Sequence, residues 1–148
     1  MSSVPVGAAL VSEQVADAIS AGDHGSTYGG NLLATRAAAY FLAQLTDGGL
    51  LEHVRTVGAH LERRLRALML KHPVIVEVRG EGLMRGLDLR IDAAPVVEQA
   101  RLNGLLVNRT NETVVRLLPP LTIEAADIDR GVELLDEVLA TVGAAVPA

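Results

Sequence analysis

Asp23-His24-Gly25-Ser26-Thr27-Tyr28-Gly29-Gly30-Asn31, running on into the apolar Leu32-Leu33-Ala34, sets the reading of this chain. Three glycines and two hydroxyl side chains make a turn that feeds straight into a helix. A turn in that position leaves backbone N–H groups pointing outward, with the positive end of the helix dipole behind them. A phosphate suits that arrangement, and Ser26 and Thr27 add hydroxyl donors beside it. The same composition also suits an ST-turn that satisfies only its own backbone, with glycines supplying φ > 0.

Working outward, Val4 to Val11 reads as a short strand with Pro5 near its start, where a missing N–H matters least. Ser12 then caps a short helix over Glu13 to Ile19, which Ala21-Gly22-Asp23 breaks. Downstream of the turn, a helix from Asn31 to Leu45 is apolar nearly all round, the mark of a helix buried between two layers. Thr46-Asp47-Gly48-Gly49 stops it. The next helix, Leu50 to Leu70, repeats Leu50, Val54, Val57, Leu61, Leu65 and Leu68 at three- and four-residue steps. Glu62, Arg63, Arg66 and Lys71 fall off that stripe, on a solvated face, and His72-Pro73 ends the helix. Val74–Gly80 and Leu83–Leu89 form two strands split by glycines. A helix over Ala94 to Asn103, strands over Leu105 to Asn108 and Val114 to Leu118, and a helix from Ala125 to Val142 complete the chain, with a frayed tail over 143–148. Helices on one face of a small, mostly antiparallel sheet make an α+β fold.

Composition narrows the classes of function. At 148 residues the chain suits one moderate core, and aromatics are only 2%, so Leu, Val and Ala do the packing. A mean hydropathy of +0.31 fits either a tightly packed Ala/Leu domain or a piece with a large apolar face made for a partner. The net charge of −5 argues against nucleic acid, which wants a basic surface. With no cysteine there is neither a disulfide nor a thiolate metal site. No apolar run approaches the roughly 18 residues of a membrane span, and no signal peptide is visible, so the expected compartment is the cytoplasm.

The turn at 23–31 closely resembles a motif of the class III pyridoxal-phosphate aminotransferases, especially the acetylornithine and ornithine enzymes. Val4-Pro5-Val6-Gly7-Ala8, Arg79-Gly80-Glu81-Gly82-Leu83-Met84-Arg85-Gly86 and Val115-Arg116-Leu117-Leu118-Pro119-Pro120-Leu121 match the same family in the same order. The resemblance implies the C-terminal part of such an enzyme, beginning just after the lysine that the family uses to bind its cofactor. It implies a remnant of the large domain plus an interdomain helix over 1–45, and over 46–148 the small C-terminal domain of fold-type I transferases. It favours the apolar-face reading of the hydropathy. It also implies pyridoxal 5′-phosphate in the assembled enzyme, with weak or no binding by this chain alone. The implied partners are the missing N-terminal part, a second subunit of a homodimer, and amino-acid and 2-oxo-acid substrates.

The implied site residues are Thr27, as a ligand of the neighbouring subunit's cofactor phosphate, Ser26 beside the substrate, and Arg116 on a substrate carboxylate, a role shared in the family with a glutamate outside this chain. Arg116 sits centrally in an apolar strand, where a charge is costly unless paired, and a guanidinium grips a carboxylate with two parallel hydrogen bonds. The alternative is an alternating strand with Arg116 facing water. Leu32 departs from the proline common in the family at that position. No catalytic residue and no metal ligand is expected. Lys71, the only lysine, has nothing around it that suggests desolvation. His24 reads as structural, and His53, His60 and His72 read as surface residues without metal spacing. Arg79, Glu81 and Arg85 read as structural, flanking glycines that permit a turn. The expected function is a fragment of an acetylornithine aminotransferase, an enzyme of arginine biosynthesis that transfers an amino group to 2-oxoglutarate, inactive alone. The competing expectation is a non-catalytic truncated paralogue acting as a binding or oligomerisation module.

Overall fold

The structure, a computed structural model, describes residues 4–143; the tail expected over 143–148 lies outside them except for Gly143. The chain divides into two compact units, residues 1–49 and 50–148.

The first unit holds α1 (Glu13–Asp17) and α2 (Leu32–Thr46). Asn31 begins α2: its side-chain oxygen accepts hydrogen bonds from the N–H groups of Leu33 and Ala34, each at 3.1 Å, satisfying two of the donors a helix start leaves open. Three expectations are corrected in this unit. Residues 4–11 form no strand, because a strand exists only through a neighbour and the sheet draws none from this unit. α1 stops at Asp17 rather than Ile19, and the Ser12 side chain makes no cap bond. Finally, α2 buries none of its residues, since no second layer covers it within the unit, and Leu32 is left 86% exposed.

The second unit is α+β as expected. Its elements are α3 (Leu50–Lys71), β1 (Ile75–Glu81), β2 (Met84–Leu89), α4 (Ala94–Leu102), β3 (Asn108–Arg109), β4 (Val114–Leu117) and α5 (Ala125–Gly143). The four strands form one antiparallel sheet in the order β1-β2-β4-β3. The third strand is Asn108–Arg109, not Leu105–Asn108: the Leu105 N–H closes α4 on the Ala100 carbonyl, and its side chain packs against the core. α3 packs on β1 and α5, and α4 on α5, so the helices share one face of the sheet. Strand alternation sends Leu87 and Leu89 of β2 and Val115 of β4 into that layer, where they meet Leu61, Leu65 and Leu68 of α3 and Leu135 and Leu139 of α5. Each such burial stabilises the fold by about 1.5–3 kcal/mol. The opposite face of the sheet is left open. Among the described residues no helix is long and apolar enough to cross a membrane.

Two charge clusters pin α3 to α5 and correct the reading of the histidines. His60 Nε2 lies 2.8 Å from Asp129 Oδ1. The Lys71 ammonium and His72 Nε2 both lie 2.5 Å from Asp136, on separate carboxylate oxygens, and His72 is buried. His53 Nε2 is 2.9 Å from the Ile123 carbonyl and half-buried. These rings are interhelical and loop contacts rather than surface groups, because each has a polar partner more than sixty residues away in sequence. The Lys71 and His72 hydrogen bonds hold the Asp136 carboxyl below its ordinary value of 3.8. A depressed carboxylate contributes stability above its unfolded pKa and loses it as pH falls through the folded one. Unfolding midpoints measured across acid pH should therefore fall between about pH 5 and 3, and Asp136→Asn should flatten that slope. An unchanged slope in the variant would count against this pair.

The Gly80–Gly82 turn between β1 and β2 is held by Arg85, which is only 7% exposed. Its Nε donates to the Gly82 carbonyl at 3.0 Å, one terminal nitrogen donates to the Gly80 carbonyl at 2.7 Å, and the other lies 3.0 Å from Glu62 of α3. A buried guanidinium is tolerable only when its donors are used in this way. Arg85 thus has a structural role in this turn.

Candidate functional site

In the first unit, Ser26 and Thr27 are adjacent and exposed in the turn that leads to α2. The Ser26 carbonyl accepts from the Gly29 N–H at 3.1 Å, and its hydroxyl takes a long, 3.4 Å bond from the Tyr28 N–H, so Ser26 is partly spent on its own turn. Thr27 has no hydrogen-bond partner among the described residues. Its hydroxyl and N–H are both free donors, side by side near a helix start, and that donor set fits a phosphate oxygen.

In the second unit, Arg116 lies on the open face of the sheet, half-buried. The antiparallel register places four residues in one row across the strands: Arg79 of β1, Gly86 of β2, Arg116 of β4 and Asn108 of β3. Two arginines thus flank a glycine, their strands separated by about 9.6 Å, twice the interstrand spacing. The absent side chain at Gly86 opens a cavity of about 240 Å³ that Arg79, Arg116, Thr110 and Val114 also line. A Cβ built on Gly86 would meet Val114 Cγ1 at 3.4 Å and Arg79 Cγ at 3.8 Å. The fold therefore leaves room for a side chain here, and the space is not forced by packing.

The charges in this row differ. Arg79 lies 2.6 Å from Glu77 and 2.9 Å from Asp88, and these two carboxylates, Glu77 first, raise its pKa above the ordinary arginine value. Arg85 faces Glu62 and Arg109 faces Asp92. Arg116 alone among the strand arginines has no carboxylate partner among the described residues. Its Nε donates to the neutral Asn108 Oδ1 at 3.1 Å, which orients the guanidinium without cancelling its charge. The terminal N–H groups remain available as a planar fork for a carboxylate.

The sequence reading singled out Ser26, Thr27 and Arg116 and missed Gly86, Asn108, Asp88 and Thr113, whose roles depend on cross-strand register. Arg79 read as structural, yet it lines the same cavity. Lys71 lies in the α3–α5 ion pair, away from this row. Among the described residues, no cluster of His, Asp and Glu has the arrangement of a metal site.

Comparison with known proteins fits the fold. The family model for class-III aminotransferases matches residues 2–139. An acetylornithine aminotransferase of Yarrowia lipolytica, named as mitochondrial, is 40% identical over 91% of this chain and 33% of its own length. One from Methanocaldococcus jannaschii is 42% identical over 91% of this chain and 34% of its own. A solved structure of Plasmodium falciparum ornithine δ-aminotransferase superposes with a TM-score of 0.84 at 28% identity, over 93% of this chain and 36% of that one. This chain thus spans about a third of the length of the relatives it matches. On the match over residues 2–139, this chain belongs to the class III aminotransferases.

Proposed function

We propose that this chain is the C-terminal part of an acetylornithine-type aminotransferase, transferring an amino group to 2-oxoglutarate in arginine biosynthesis, and that it is inactive alone. The observation that carries the reading is the Arg116 guanidinium. It is held in place by a neutral partner, has no acid partner among the described residues, and stands beside a cavity on an open sheet face. Such a group binds the carboxylate common to amino acids and 2-oxo acids. Relatives bearing the acetylornithine name at about 40% identity support the choice of donor.

Pyridoxal phosphate, when bound in the assembled enzyme, stores the amino group between the two half-reactions and draws electrons from the substrate carbon. Within this chain, Thr27 offers its hydroxyl and N–H to the cofactor phosphate of a second subunit. Ser26 stands beside the substrate, and Arg116 fixes the substrate's carboxylate end, so orienting the reacting carbon without itself moving a proton. Residues 1–45 then belong with the large domain and 46–148 make the small one. A homodimer with the remaining part of the enzyme supplies the rest of the site, in the cytoplasm. The exposed apolar side chains of the first unit, Leu10 and Leu33 among them, support a partner surface there.

Titration of the chain with pyridoxal phosphate, followed by borohydride reduction and intact mass, tests the inactivity claim. The expected result is no site-specific adduct, because the only lysine, Lys71, is engaged with Asp136. A stoichiometric adduct on Lys71 would overturn the reading of a chain that depends on another polypeptide for its lysine.

A further inference from the structure

Asp88 is placed to cancel the charge on Arg116, and does not. Gly86 of β2 pairs with Arg79 on one side and Arg116 on the other, while Asp88, two residues along the same strand and face, pairs with Glu77 and Val114. Asp88 is therefore a diagonal neighbour of both arginines, a relation of about 7–8 Å between side-chain bases that long side chains span. That Arg79 spans it is plain from its 2.9 Å contact with Asp88. Arg116 has the same reach across the same glycine, with no side chain at position 86 in the way. Asp88 is instead occupied on both oxygens: Oδ2 by Arg79, and Oδ1 by the Thr113 hydroxyl at 2.8 Å. On the far side, Asn108 draws the Arg116 guanidinium away from β2.

We propose that Arg79 and Thr113 are positioning residues that hold Asp88 away from Arg116, so that the Arg116 guanidinium stays free for a substrate carboxylate. The proposal rests on the reading of Arg116 as the carboxylate site and adds what keeps that site open. The depressed pKa of Asp88, caused first by Thr113 and then by Arg79, agrees with a carboxylate ionised and engaged throughout the neutral range.

The test is a 2-oxoglutarate titration of the whole chain, followed by NMR at the Gly86 amide and the Arg116 Nε–H, for wild type, Arg79→Gln, Asp88→Asn and the double variant. Arg79 is exposed, so its replacement leaves the core intact, and the core amide signals report this directly. Arg79→Gln is expected to weaken binding about tenfold, the worth of one charge-assisted contact now made internally. Adding Asp88→Asn is expected to restore the wild-type affinity, since a neutral amide no longer competes. A merely structural role for Arg79 predicts no such rescue. If wild type shows no saturable shift at these groups, the carboxylate reading falls and the proposal falls with it. If wild type binds but Arg79→Gln binds equally well, or the double variant stays weak, the proposal alone is overturned.

Discussion

Gly80→Ala is expected to destabilise the second unit by about 4 kcal/mol, at the upper end of what single substitutions do. Gly80 has φ +121°, a region side chains rarely enter, and a Cβ there would lie 2.1 Å from the Met84 carbonyl oxygen and 3.1 Å from Arg85 Cα. Both are backbone atoms of the facing strand, so no side-chain rotation relieves the clash. The turn must open, and with it go the Arg85 bonds to the Gly80 and Gly82 carbonyls and the alignment with Glu62. Since a domain has only about 5–15 kcal/mol of net stability, much of it is at stake. Urea unfolding of the full chain measures the effect. Gly86→Ala is the control, because its Cβ would make only ordinary contacts, and it should cost under about 1 kcal/mol. Equal midpoints for the two variants would refute this account of the turn.

Arg116→Gln is expected to remove the second large quantity, the affinity for a carboxylate. Two charge-assisted hydrogen bonds at about 1.5 kcal/mol each amount to roughly 3 kcal/mol, or about a hundredfold in affinity. Unlike Gly80, this residue contributes little to folding: its one side-chain partner among the described residues is the neutral Asn108, and a glutamine amide still donates to it. The unfolding free energy should therefore stay within about 0.5 kcal/mol of wild type while the affinity for 2-oxoglutarate falls about a hundredfold. Arg116→Lys should recover only part of it, since an ammonium keeps the charge but loses the planar fork. Retained binding in Arg116→Gln would place the carboxylate site elsewhere.

Legibility in the sequence followed the range of the interactions involved. The stripe Val57, Leu61, Leu65 and Leu68 was readable because a helix sets its own inward face within a few residues, and these side chains are buried. The glycine-bearing β1–β2 turn was readable for the same reason. His60 and His72 were misread because their partners, Asp129 and Asp136, lie 69 and 64 residues away. The strand expected over residues 4–11 failed on the same ground, since its alternation fits a strand but only a neighbouring strand makes one.

By itself, the sequence determined the α+β class, the inward stripes of α3 and α5, the glycine-rich turn running into α2, and the four ordered motifs by which the chain resembles its family. The tertiary structure alone decided which charges stay unpaired. Arg79 and Arg116 are 37 residues apart in the chain, yet antiparallel register sets them either side of Gly86, with Asp88 diagonal to both. Which of them the carboxylate takes is settled by distances of a few ångströms across strands. That choice leaves Arg116 open to a ligand, because electrostatic pairing depends on separation in space and not on order along the chain.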